Sequence, residues 1–132
     1  TNAFDALVEQ GAEEIISIHI SEKLSATIEV ARSAAKEYRK ANVIVVDSGQ
    51  LSLGTGFQVE TAAKMARDGE PLQEILEAIS DTRSRTFVTA AISTLEFLRR
   101  SGRMNRFMTG LGSLIQLKPI LTMPVQPGTR LQ

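Results

Sequence analysis

Cysteine and tryptophan are absent from this chain of 132 residues, and neither sign of charge prevails, with fifteen Lys and Arg set against fifteen Asp and Glu. Without cysteine there are no disulfides, no thiolate nucleophile and no zinc–thiolate site, a usage that leans towards a cytoplasmic protein. Balanced charge leaves no net field to draw the chain onto nucleic acid or an anionic membrane surface, so neither is expected as a partner. No apolar run approaches the ~20 residues of a membrane span, so stable membrane insertion is not expected either. No metal or cofactor is expected. Apolar residues are nonetheless 42% of the total, enough to build the core of one ordinary domain or two small ones. The first residue is Thr1 rather than methionine, which suggests a piece of a longer protein.

The most informative stretch runs from Ile15 to Thr27. Ile15 to Ile20 is β-branched and reads as a strand, and from Leu24 the apolar positions change to helical spacing through Ile28, Ala31, Ala35 and Tyr38. A chain that leaves a strand and enters a helix within a few residues exposes unpaired N–H groups at the positive end of the helix dipole. Ser25 and Thr27 add two hydroxyl donors there, a combination suited to a carboxylate or a single phosphate. The plainer alternative is that Ser21 or Ser25 caps the helix. No glycine-rich, lysine-bearing phosphate loop is present, which argues against a nucleoside triphosphate.

Val43 to Val46 is apolar at every position, as a strand covered on both faces should be, and it completes a βαβ unit of a parallel sheet. Both the Ser21 to Thr27 turn and Asp47-Ser48 then fall at the carboxyl ends of strands, where such sheets collect ligands. Thr1 to Gly11 reads as a short leading helix. Gly54 and Gly56 lie near the start of a helix that continues through Phe57, Ala62, Met65 and Ala66 to Asp68-Gly69, their expected use being close packing against a neighbour or a ligand tail. Pro71 opens a further helix along Leu72, Ile75, Leu76 and Ile79.

The polar, basic stretch Asp81 to Arg85 is the expected crossing into a second unit, placing residues 1–82 in one α/β domain and 83–132 in another. Thr86 to Ile92 reads as a strand. Ser93-Thr94-Leu95-Glu96 has capping-box spacing, so a helix is expected from Thr94 to about Arg100, with Gly102 closing it. Arg99, Arg100, Arg103 and Arg106 crowd that stop. Asn105 is expected to cap another short helix, Leu117 to Thr122 to form an edge strand, and the chain from Pro124 to be a loop. The fold class is therefore α/β, a βαβ parallel-sheet unit followed by part of a second α/β subdomain.

Four stretches, in this order and spacing, resemble the DegV family of bacterial fatty-acid-binding proteins. They are Ile16-Ser17-Ile18-His19-Ile20-Ser21 with Leu24-Ser25-Ala26-Thr27; Val45-Val46-Asp47-Ser48 with Ser52-Leu53-Gly54-Thr55-Gly56; Thr94 to Arg103; and Leu111-Gly112-Ser113-Leu114 with Leu117 to Leu121. The resemblance implies a two-domain α/β protein, here incomplete, that holds a long-chain fatty acid in an apolar tunnel and has no catalytic machinery of its own. It implies a partner as well, a separate ATP-binding subunit similar to dihydroxyacetone kinase that phosphorylates the presented carboxylate. By residue it assigns the carboxylate to Ser25, with Ala26 and Thr27 beside it. Arg103 is implied as a head-group or partner contact. Gly54, Gly56, Phe57, Leu111 and Leu114 are the expected tail contacts.

Ala26 stands where the family usually has glycine, and Met104 where isoleucine is common. The family's N-terminal Asp-Ser-Thr region, its Thr-Ser-Gln-Pro-Ser loop and its C-terminal histidine have no counterpart here, so these residues alone are expected to bind lipid weakly or not at all. Two other functions are weighed against this one. A serine hydrolase would use Ser25 as nucleophile, His19 as base and Asp47 as orienter, but Lys23 to Thr27 is not a nucleophile elbow. An interaction module would dock another protein through the Arg99 to Arg106 cluster.

Overall fold

The computed structural model describes residues 2–103, 118 and 120–123. In chain order the elements are α1 (Asn2–Glu9), β1 (Glu14–His19), α2 (Thr27–Glu37), β2 (Asn42–Asp47), α3 (Leu53–Arg67), α4 (Leu72–Arg85), β3 (Thr89–Ala91), α5 (Glu96–Arg100) and β4 (Ile120–Thr122). β1 and β2 pair in parallel, from Glu14 opposite Asn42 to His19 opposite Asp47, and β3 pairs antiparallel with β4. The chain is thus α/β with the expected βαβ unit.

Strand alternation assigns the layers. Val46, with Ile16, Ile18 and Ile44, packs into one apolar cluster with Ala62 and Met65 of α3 and Leu72, Ile75, Leu76 and Ile79 of α4. The odd positions of β1, Ile15 among them, turn to the opposite face, and α2 lies against both strands. Ile28, Val46 and Ile79 are sealed from solvent, each contributing about 1.5–3 kcal/mol relative to exposure.

Several expected boundaries move for identifiable reasons. α2 begins at Thr27 rather than Leu24, because the N–H groups of Leu24 and Ser25 both fold back onto the Ser21 carbonyl, at 2.9 and 3.2 Å, and close a separate turn. α4 runs unbroken through the expected crossing at residue 82. The third strand is reduced to Thr89–Ala91; the carbonyl of Thr86, where it was expected to begin, is taken by the Gln50 amide at 3.1 Å. α5 starts at Glu96, two residues late, and Thr94 Oγ1 rather than Ser93 accepts its first N–H at 3.2 Å. The segments read as a helix from Asn105 and a loop from Pro124 lie outside the described residues.

α1 docks on the end of α2 through an edge-to-face contact of Phe4 with Tyr38, ring centroids 5.4 Å apart. Asp5 Oδ1 accepts from the Tyr38 hydroxyl at 3.0 Å and from Lys40 Nζ at 2.7 Å. The Lys40 hydrogen bond, followed by that of Tyr38, holds the Asp5 carboxyl below its ordinary value. A carboxyl depressed on folding stabilises above its unfolded pKa and loses that contribution as pH falls through its folded one. The Tm difference between the wild type and Asp5→Asn should therefore be largest near neutral pH and close as the pH is lowered below the usual carboxylate range. High salt should shrink it, because the pair faces water.

Candidate functional site

The β1–α2 turn is built at the carboxyl end of β1. Thr27 N–H donates to Ser25 Oγ at 3.2 Å, and the Ser25 and Thr27 hydroxyls lie 2.7 Å apart. Serine therefore does cap α2, from the position before the N-cap. One hydroxyl proton is shared within that pair, so the other remains available to an incoming acceptor. Among the described residues, neither the Ala26 N–H nor the Ile28 N–H meets a protein acceptor, as the opening turn of a helix leaves them. Ala26 has φ −78°, a conformation open to any residue, so the turn is made without the glycine usual at this position in the family. A shallow surface depression of about 630 Å³ lies over this turn, lined by Glu22, Lys23, Ser25, Ala26 and Glu29. Arg32 bridges the two glutamates, which offsets their charge beside the hydroxyls.

Arg103 reaches this corner from the far end of the chain. Its Nε donates to the Leu24 carbonyl at 3.0 Å, 79 positions away in sequence. Arg99 and Arg100 do not join it; both fold back onto Glu96, whose carboxyl is lowered first by its hydrogen bond with Arg99. The expected basic cluster is thus divided, and its last member, Arg106, lies outside the described residues.

The hydrolase constellation is not assembled. His19 Nε2 pairs with Ser17 Oγ at 2.9 Å, and burial lowers the ring's pKa. Asp47 Oδ1 accepts instead from Gly49 N–H at 2.9 Å and Glu22 N–H at 3.3 Å. Ser25 turns to Thr27 rather than to the imidazole.

The expected tail contacts separate. Gly54 is buried in the first turn of α3, where a Cβ would lie 2.7 Å from Val88 Cγ2, so its small size lets α3 close onto that neighbour. Gly56 faces open space, and Phe57 is half exposed. Leu111 and Leu114 lie outside the described residues. An apolar groove of about 660 Å³ follows β1 and is lined by other residues, including Ile16, Ile18, Val59, Ala62 and Ala66.

Sequence reasoning also missed a buried polar group at the end of β2, formed by Ser21, Ser48, Gln50, Gln58 and Arg83. Gln58 Nε2 donates to the carbonyls of Ser48 and Gly54 at 3.0 and 3.2 Å, and Ser48 Oγ meets Thr55 Oγ1 at 2.9 Å. Its signal was periodic: Gly54, Gln58 and Ala62 form the buried stripe of α3, and Ile75, Ile79 and Arg83 that of α4. Polar residues occupy those helical positions because they face loop carbonyls rather than strand side chains.

The profile of a family described as "Uncharacterised protein, DegV family" matches residues 1–128. The chain belongs to the DegV family. A DegV domain-containing protein of Streptococcus pyogenes serotype M6 is 41% identical over 120 residues, covering 91% of this chain and 43% of the relative. One from Lactococcus lactis is 45% identical over 112 residues, 84% of this chain and 40% of its own. Among solved structures, a DegV family protein from Thermus thermophilus, described for its fatty acid binding, superposes with a TM-score of 0.77 at 36% identity, over 93% of this chain and 43% of that one. DegV of Bacillus subtilis, described as a fatty acid binding protein, gives 0.78 at 27% identity, over 92% and 44%. This DegV chain spans under half the length of these bacterial relatives.

Proposed function

We propose that the DegV protein to which this chain contributes is a cytoplasmic carrier of one long-chain fatty acid, its carboxylate seated at Ser25, Ala26 and Thr27. The observation that carries this reading is the convergence on one corner of a hydroxyl pair, the opening N–H groups of α2 and the Arg103 guanidinium. Each favours an anion. Relatives described as fatty acid binding supply the ligand class. Affinity comes chiefly from the tail at about 0.8 kcal/mol per buried methylene, whereas the polar corner sets which end of the molecule enters. In this reading Gly56 and Phe57, with Leu111 and Leu114, border the tail. The residues through the end of α4 belong to the domain holding the carboxylate, and those after it to the domain that supplies Arg103. The bound acid is presented to a separate kinase subunit resembling dihydroxyacetone kinase, and the DegV protein performs no chemistry itself.

The test is titration of the intact protein with palmitate. Ser25→Ala should weaken binding about tenfold, the effect of removing one hydrogen bond to a charged group at about 1.4 kcal/mol per decade. Unchanged affinity in Ser25→Ala would remove the carboxylate from this turn. Arg103→Ala separates the two roles of that residue: lost lipid marks a head-group contact, and retained lipid with lost acyl phosphorylation marks the kinase-facing surface.

A further inference from the structure

Arg83 ends the buried stripe of α4 and is only 7% exposed, yet no ion pair among the described residues includes it. Its Nη1 donates to the Asp47 carbonyl at 3.2 Å, and its Nε meets no acceptor among the described residues. Burying a guanidinium without a carboxylate beside it is costly and calls for a compensating use. The position of the side chain suggests that use. A Cβ on Gly49 would lie 2.8 Å from Arg83 Nε, which means that the guanidinium runs directly beneath the turn after β2.

Two further joints lead from this turn to the β1–α2 turn. Asp47 Oδ1 accepts from Gly49 N–H at 2.9 Å and from Glu22 N–H at 3.3 Å. Ser21 N–H donates to the Gln50 carbonyl at 2.8 Å. The Ser21 carbonyl in turn receives the N–H groups of Leu24 and Ser25. A continuous set of hydrogen bonds therefore runs from the end of α4, through the end of β2, to the backbone of Ser25.

We propose that Arg83 and Asp47 are positioning residues for the acyl-carboxylate turn. Arg83 fixes the end of β2 from below, and Asp47 passes that constraint to residues 21–25, so the Ser25 hydroxyl and the opening of α2 are aimed before ligand arrives. This proposal rests on the fatty-acid reading, and its experiment has one arm that needs no lipid. In Arg83→Met of the intact protein, amide hydrogen exchange should quicken tenfold or more across residues 21–27 and 47–50 while residues 15–18 of β1 keep their protection. Arg83→Lys, which keeps the charge but not the fork, should fall between. With palmitate labelled at its carboxyl carbon, the variant should bind about tenfold more weakly, and the resonance of the lipid still bound should move from its wild-type position.

A residue that only stabilised the fold would raise exchange everywhere alike and leave that resonance in place; either result overturns the proposal. Should Arg83→Met fail to fold, Asp47→Ala breaks the second joint with the guanidinium retained, and the same outcomes decide. If the wild type takes up no palmitate, the fatty-acid reading falls, and the exchange arm alone judges the clamp: localised quickening supports it, and uniform or absent quickening overturns it.

Discussion

Replacing Ile28 with alanine is expected to lower the stability of this DegV chain by about 2–5 kcal/mol, the range for emptying a well-packed aliphatic site. Ile28 has no exposed surface and sits in the first turn of α2, one residue beyond Thr27. Its side chain anchors the helix to the body of the domain while the backbone before it carries the hydroxyls of the candidate site. Two effects should therefore appear together. Chemical denaturation should give a lower midpoint at unchanged slope, and, on the fatty-acid reading proposed above, palmitate affinity of the intact protein should fall even at temperatures where the variant is folded. Ile28→Val, which removes a single methylene, should cost about 0.5–1.5 kcal/mol and leave affinity nearly intact. A fully folded Ile28→Ala protein with wild-type stability would mean that α2 is held elsewhere.

Gly49→Ala is the second large expectation. Gly49 has φ +62°, a left-handed conformation that costs a residue with a Cβ about 1–2 kcal/mol. The added methyl would also stand 2.8 Å from Arg83 Nε and 3.0 Å from Nη2. That guanidinium cannot simply swing aside, since it is buried and bonded to the Asp47 carbonyl. The combined cost should be about 2–5 kcal/mol, a sum of the backbone term and an overpacking term of about 1–3 kcal/mol. Gly69 offers the matching control, with φ +81° and open space around its missing Cβ, so Gly69→Ala should show the backbone term alone. Comparing the two thermal midpoints isolates the steric contribution of Arg83. Equal losses would show that the guanidinium yields without penalty.

The two strands of the βαβ unit were readable because their signals are local. A β-branched run alternates faces, a wholly apolar run asks for cover on both, and hydroxyls before a helical period mark the junction between them. Glycine stops were equally plain: Gly11, Gly69 and Gly102 all have positive φ where α1, α3 and α5 end. The face of α3 was not readable. Phe57 looked like part of its apolar stripe but is half exposed, whereas Gln58 is fully buried. Hydrophobicity predicts burial only when no backbone carbonyl needs a donor, and here the carbonyls of Ser48 and Gly54 did. Where each arginine of the basic cluster goes was not readable for a related reason. Four arginines near one another in sequence share no obligation to act together, and Glu96 binds two of them locally.

Residue order by itself thus determined the succession of helices and strands through α4, the parallel βαβ unit and family membership, since all of these depend on neighbours a few positions apart or on motifs in fixed succession. Only the tertiary structure decided that Arg103 meets the Leu24 carbonyl and that Arg83 lies beneath Gly49. Those contacts join positions separated by tens of residues, and they exist because the fold brings loop carbonyls to cations whose spacing in the sequence carries no trace of the encounter.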